Sequence, residues 1–200
     1  MRTRAPITLL PAFAAAALLF LLMPTARAAT ARECDGISFP AQVQAGSQTL
    51  TLNGLGLRKA TFFGIKVYVG ALYVAHPTAD ANAVLSSRDP VEMQLRFVFR
   101  VTASQLRNAW REGFDASARS ELPRLQARIA QLNDWMTGVT SGQRMTFLRV
   151  PGVGIRYSLD GAVRGTIPGD DFATAFLAIW LGSAPPSRAL RAGLLGGPCE

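Results

Sequence analysis

Arg58, Lys66 and Tyr68 are residues whose types and spacing could hold an anion. They stand in a segment that reads Asn53-Gly-Leu-Gly-Leu-Arg58 and then Gly64-Ile-Lys-Val-Tyr-Val-Gly-Ala-Leu-Tyr73. In an unbroken strand, side chains alternate between the two faces, so positions 58, 60, 62, 64, 66, 68 and 70 would point the same way. That face combines Arg58, Lys66 and Tyr68 with Ala60, Phe62, Gly64 and Gly70. It is either a solvated sheet face or the floor of a ligand cleft, and alternation alone leaves both readings open. In a cleft, a guanidinium grips a carboxylate through two parallel hydrogen bonds, and a phenol adds a third.

Other catalytic constellations find little support. The single histidine, His76, precedes Pro77 at the end of a strand-like run and has no partner for a triad. Pro151-Gly-Val-Gly154 lacks the following helix and lysine of a phosphate-binding loop. Asp170 and Asp171 read as the acidic start of a helix rather than a reacting pair. No metal-ligand set and no cofactor motif is evident. Cys34 and Cys199 lie at opposite ends of the sequence after its N-terminal segment, and they are expected to form a disulfide.

The first residues have the pattern of a signal peptide. Arg2 and Arg4 precede an apolar run from Ile7 to Met23, and Ala26-Arg27-Ala28 offers a cleavage site after Ala28. Cleavage would take 28 of the 200 residues and three arginines, leaving 172 residues and a net charge of +5 in place of +8. Residues 29–200 are enough for one domain with its own core. The arginines are scattered, and Lys59 and Lys66 are the only lysines, so nucleic-acid binding is not expected. The basic balance leaves room for a peripheral membrane contact.

Periodicity supplies the elements that must position the site. Gln48 to Leu52 and Leu57 to Ala75 read as strands, with Gly54, Gly56 and Gly64 as turns or bulges. Residues 29–40 read as a short polar lead, and Asp80 to Ser86 as a short helix. Val91, Met93, Leu95, Phe97 and Phe99 alternate with Glu92, Gln94, Arg96, Val98 and Arg100 as in a half-buried strand. Thr102-Ala-Ser-Gln105 is a capping box. The helix it opens carries Leu106, Ala109, Trp110, Gly113 and Phe114 on one face. A second helix carries Leu122, Leu125, Ile129, Leu132 and Met136. Gln143 to Val150, Gly154 to Leu159 and Ala162 to Ile167 return to strand, the last two joined by the hairpin turn Asp160-Gly161. A helix from Asp170 buries Phe172, Phe176, Ile179 and Trp180 and ends at Gly182, and Ser187 caps a last one. The order predicts an α+β fold, an antiparallel sheet with helices packed on one face.

The segment from Asn53 to Tyr73 is followed by Phe97-Val-Phe-Arg100, Gln105-Leu-Arg-Asn-Ala-Trp110, Phe176-Leu-Ala-Ile-Trp-Leu-Gly182 and Leu194-Leu-Gly196. Taken in this order, these pieces resemble the chalcone-isomerase-like proteins, in particular their bacterial secreted branch. The resemblance implies an open-faced β-sandwich with a cleft between sheet and helices, in a periplasmic or secreted protein. Plant chalcone isomerase closes a flavonoid ring and stabilises the developing enone oxyanion, and Arg58 falls where that family has its essential arginine. The family's cleft threonine falls at Tyr68, its cleft tyrosine at Leu106, its asparagine at Gly113 and its last threonine near Ile179. One polar position of five is retained, with Tyr68 a substitute for another. The resemblance therefore implies a non-catalytic protein that binds a fatty-acid-like or other apolar acidic ligand, with Arg58 as anion anchor, Tyr68 as hydrogen-bond partner and Lys66 as a further cation. Two alternatives stand beside it: an intramolecular lyase or isomerase acting on a conjugated substrate, and a structural envelope protein without a small ligand.

Overall fold

Alternating apolar side chains shape the sheet, and apolar helical stripes cover it. The computed structural model describes residues 30–60 and 63–200. The expected signal peptide, residues 1–28, and the expected place of Phe62 on the strand face lie outside the described residues. A hairpin of β1 (Arg32–Cys34) and β2 (Ile37–Phe39) precedes the main sheet. That sheet is an antiparallel meander in chain order: β3 (Gln42–Ala45), β4 (Gln48–Ala60), β5 (Ile65–Val74), β6 (Val91–Phe97), β7 (Arg144–Val150), β8 (Gly154–Leu159) and β9 (Ala162–Pro168). Each strand pairs with its sequence neighbour, with a long helical connection between β6 and β7 (residues 98–143) and short turns between β7 and β8 and between β8 and β9.

Among the described residues, five α-helices pack on one face: α1 (Ala81–Ser86), α2 (Ala103–Ser117), α3 (Leu122–Asp134), α4 (Asp170–Leu181) and α5 (Arg188–Leu194). The α+β expectation is met. Thr102 and Gln105 form both bonds of the capping box at the start of α2. Asp160 and Gly161 adopt the positive φ angles, 50° and 85°, of a tight hairpin turn. The helix layer is held by aromatic rings. Trp110 and Phe114 of α2 meet Phe172, Phe176 and Trp180 of α4 over Phe147 of β7, with centroids 4.7 Å apart for Phe147 and Phe176. Asp171 and Arg128 pair through two bonds of 2.7 Å, which tie α4 to α3.

Two expectations are corrected. The run from Leu57 to Ala75 is not one strand, because the chain reverses before Ile65 and Gly64 takes the positive φ of 67° that the turn needs. A strand of that length would also extend some 60 Å at about 3.3 Å per residue. Residues 29–40 are not merely a polar lead. Cys34 and Phe39 of the β1–β2 hairpin are buried on the outer face of the sheet with Leu50, Leu52, Leu55, Leu57, Val69, Ala71 and Tyr73. The Cys34–Cys199 disulfide holds this hairpin to the C-terminal segment, with Cα atoms 5.9 Å apart.

Gly54 and Gly56 serve a purpose other than turning the chain. Both lie within β4, on the face that meets α5. A Cβ on Gly54 would stand 2.1 Å from the Gly193 carbonyl oxygen, and one on Gly56 would stand 2.4 Å from that of Leu190. The helix backbone therefore rests on the strand backbone. Asn53 sits at the register shift beside Gly54, donating to the Leu194 carbonyl at 2.8 Å and accepting from the Thr78 amide at 2.7 Å.

Gly56→Ala is therefore expected to destabilise the fold by about 1–3 kcal/mol or more, since the obstacle is backbone and cannot rotate away. The urea midpoint, compared with that of Gly138→Ala, where a Cβ would meet nothing nearer than 3.4 Å, measures the effect. An unchanged midpoint in Gly56→Ala would show that α5 does not lie this close.

Candidate functional site

Beyond the glycines, the same sheet face changes character. Arg58 of β4 and Tyr68 of β5 are directly opposed in the antiparallel register, so both side chains project toward the helices. The next pair is Lys59 with Lys66, and Val67 is the extra residue of a bulge between the two pairs. The bulge carries Lys66 to the opposite face. Its ammonium pairs there with Asp35 of the β1–β2 turn, away from Arg58 and Tyr68. The expected common face of Arg58, Lys66 and Tyr68 thus holds for Arg58 and Tyr68 only.

Arg58 and Tyr68 stand at a cavity of about 450 Å³ between sheet and helices. Val67, Leu95 and Phe97 supply the sheet side, Leu106, Trp110 and Gly113 of α2 one helical wall, and Ile179 and Trp180 of α4 another. Ala184, Pro185 and Pro186, in the segment leading to α5, complete the lining. All five positions matched to the plant enzyme's polar set, namely Arg58, Tyr68, Leu106, Gly113 and Ile179, line this one space. Gly113 has a packing reason, since a Cβ there would lie 2.8 Å from the Ile179 side chain. The volume falls within the roughly 300–1,000 Å³ of small-molecule sites.

The polar groups are few and aimed together. The Trp180 indole N–H donates to the Tyr68 hydroxyl oxygen at 3.0 Å. An indole only donates, so the phenolic proton of Tyr68 is not used in this bond and remains available to an acceptor. Arg58 donates to the carbonyl oxygen of its neighbour Lys59 and has no carboxylate partner among the described residues. Its other N–H groups are not used in that contact. Glu112 lies at the α2 side of the cavity and is exposed. The Trp110 indole N–H is buried and has no hydrogen-bond acceptor among the described residues. The aromatic stripe of α4 had marked Trp180 as core alone. Its role at Tyr68 could have been sought from the rule that a buried indole needs a partner. No cluster of metal-binding side chains occurs among the described residues.

Burial raises the Tyr68 phenol above its ordinary value near 10, opposed by the Trp180 hydrogen bond and the Arg58 charge. Burial likewise raises Tyr73, and it lifts Tyr157 to about 12. The chain has three tyrosines, and all three are therefore protonated where free phenols begin to ionise. Above pH 10 the unfolded chain binds fewer protons than the folded one, so stability falls as pH rises from about 10 toward 12. An absorbance titration should show tyrosinate appearing together with loss of the near-ultraviolet circular dichroism. Ionisation of a phenol near pH 10 with that signal intact would contradict the burial described.

No curated protein matches the chain. Among solved structures, a fatty-acid binding protein of Arabidopsis thaliana is similar, with a TM-score of 0.64 at 19% sequence identity over 80% of this chain and 92% of that one. At that identity the likeness shows the fold alone. The family described as chalcone isomerase-like matches residues 31–196. That span runs from the β1–β2 hairpin through the glycine-lined seat of α5 and includes every wall of the cavity. The chain belongs to the chalcone isomerase-like family.

Proposed function

We propose that this protein is exported and binds a fatty-acid-like or other apolar acidic ligand in the cavity between sheet and helices. The observation that carries the reading is the pairing of Arg58 with Tyr68 in a cavity whose other walls are mostly apolar. Arg58 anchors the carboxylate through its guanidinium, and the Tyr68 hydroxyl, oriented by Trp180, donates a further bond. The hydrocarbon lies against Leu106, Ile179, Phe97 and Trp110. Lys66 has no part in the clamp, because it faces Asp35.

Two further features support binding over ring closure. Leu106, Gly113 and Ile179 offer no hydrogen-bonding side chain at the positions where the plant enzyme has polar groups. Each missing donor to a developing oxyanion costs about 100-fold or more in rate. The Arabidopsis protein that shares the fold is a fatty-acid binding protein, which agrees with the reading. Export is supported by the signal-peptide pattern and by the Cys34–Cys199 disulfide, a bond that persists in oxidising compartments.

Native mass spectrometry with lipid extraction tests the proposal. The wild-type protein is expected to carry or take up a fatty acid. Arg58→Ala is expected to weaken that binding about tenfold to a hundredfold, as loss of a charged hydrogen bond of about 1.5–3 kcal/mol implies. Tyr68→Phe, which keeps the ring, should have a smaller effect. A wild-type protein that neither carries nor accepts fatty acids of any chain length would sink the reading.

A further inference from the structure

The cavity opens beside a surface that is apolar and basic at once. Among the described residues, Phe63, Ile65, Phe99, Val153 and Val163 are the large hydrophobic side chains that stand exposed. Val153 and Val163 are single valines near the β7–β8 turn and on β9, and scattered residues of that kind are ordinary. The other three lie on segments that continue from the cavity wall. Ile65 is the cross-strand partner of Ala60, which lines the cavity. Phe63, in the turn just before it, is 88% exposed. Phe99, 50% exposed, lies between Phe97 and Val101, both of which line the cavity. The Val98 amide donates to the Val67 carbonyl at 2.9 Å and holds that loop against β5.

The charges on the same segments have one sign. Both lysines of the chain, Lys59 and Lys66, are exposed on the β4–β5 hairpin, and Arg100 is exposed beside Phe99. No acidic residue occurs in the sequence from 54 to 75 or from 96 to 111. Asp35 reaches this region from elsewhere, to pair with Lys66, and Glu112 stands across the cavity on α2. Long basic side chains around exposed aromatic and aliphatic groups match the boundary between phosphate head groups and acyl chains.

We infer that the rim formed by residues 63–66 and the β6–α2 loop docks on an anionic lipid bilayer. Phe63, Ile65 and Phe99 enter the head-group boundary, and Lys59 and Arg100 face the phosphates. The inference rests on the ligand reading above and adds its source: an apolar acid passes between bilayer and cavity without crossing water. A protein partner or a second copy of the chain would account for the apolar groups, but the net positive charge of these segments is complementary to lipid phosphate.

The test is flotation of the exported protein with vesicles of equal parts phosphatidylglycerol and phosphatidylcholine, beside vesicles of phosphatidylcholine alone. Binding is expected to the anionic vesicles, to weaken with added salt, and to drop about tenfold or more in the exposed-site double variant F63S/F99S. Laurate binding in solution, without vesicles, is expected to be unchanged in that variant and weakened about tenfold or more in Arg58→Ala, which still floats. Wild-type protein that ignores anionic vesicles, or a double variant that binds them as well as wild type, overturns the docking inference whatever laurate does. Self-association in solution that F63S/F99S abolishes assigns the rim to a second copy and also overturns it. Flotation without any laurate binding would leave the rim as a membrane contact and remove the cavity ligand instead.

Discussion

Where α5 lies on the sheet, backbone touches backbone. Gly54 and Gly56 of β4 and Gly193 of α5 leave no side chain between them, and the Leu190 and Leu194 side chains reach Gly70 on β5. This contact sets how close the C-terminal helix comes to the sheet, and therefore where the segment Ala184 to Pro186 must pass. Two residues further along the same face the glycines give way to Arg58 and Tyr68, and the space between layers opens. Side-chain volume at neighbouring positions of one strand pair thus decides where the layers close and where they part. Asn53 reinforces the closed part by binding both the end of α5 and the loop before α1. The disulfide and the buried outer-face leucines hold β4 from the other side.

The open part is electrostatically simple. One guanidinium stands in a mostly apolar cavity, and its neighbouring phenol is turned by an indole so that a proton is left for a guest. A cation beside apolar surface is costly unless water or an anion satisfies it, and this is the physical basis of the proposed preference for acids. The phenol's raised pKa keeps the proton in place across the range in which a carboxylate is charged. In the proposed reading the head group meets two adjacent strands, with Trp180 of α4 orienting the Tyr68 hydroxyl, while the other helical side chains on the cavity are mostly apolar.

Elements with a strong period were legible in the sequence, and so was the layer order. The strand from Val91, which ends at Phe97 rather than the expected Phe99 and is buried on both faces rather than half-buried, the Thr102–Gln105 box, the Asp160-Gly161 turn and the stripe of α4 each depend on neighbours a few residues away. What depended on a single-residue shift was not legible. The bulge at Val67 flips Lys66 to the far face, and nothing in its neighbours' types announces an inserted residue. The β4–β5 reversal was masked because both arms are rich in the same β-forming residues, with Gly64 the only local sign. The β1–β2 hairpin depends on a cysteine 165 positions away. Arg58 and Tyr68 could be named from family likeness, but their direct opposition came from a register that alternation along one strand could not supply. The partner of Tyr68, Trp180, comes from the far end of the chain and was hidden within an apolar stripe.

Trp180 has one more consequence. Two of the three tryptophans, Trp110 and Trp180, border the cavity, and the third, Trp135, lies against Gly165 of β9. Indole emission depends on the polarity around the ring and on what its nitrogen binds. A guest that draws on the Tyr68 hydroxyl alters the acceptor of the Trp180 N–H, and one that fills the apolar end alters the surroundings of Trp110. The fold therefore contains its own optical gauge of occupancy, with Trp135 as a steady background, and the filling of the cavity can be followed by light in the unlabelled chain.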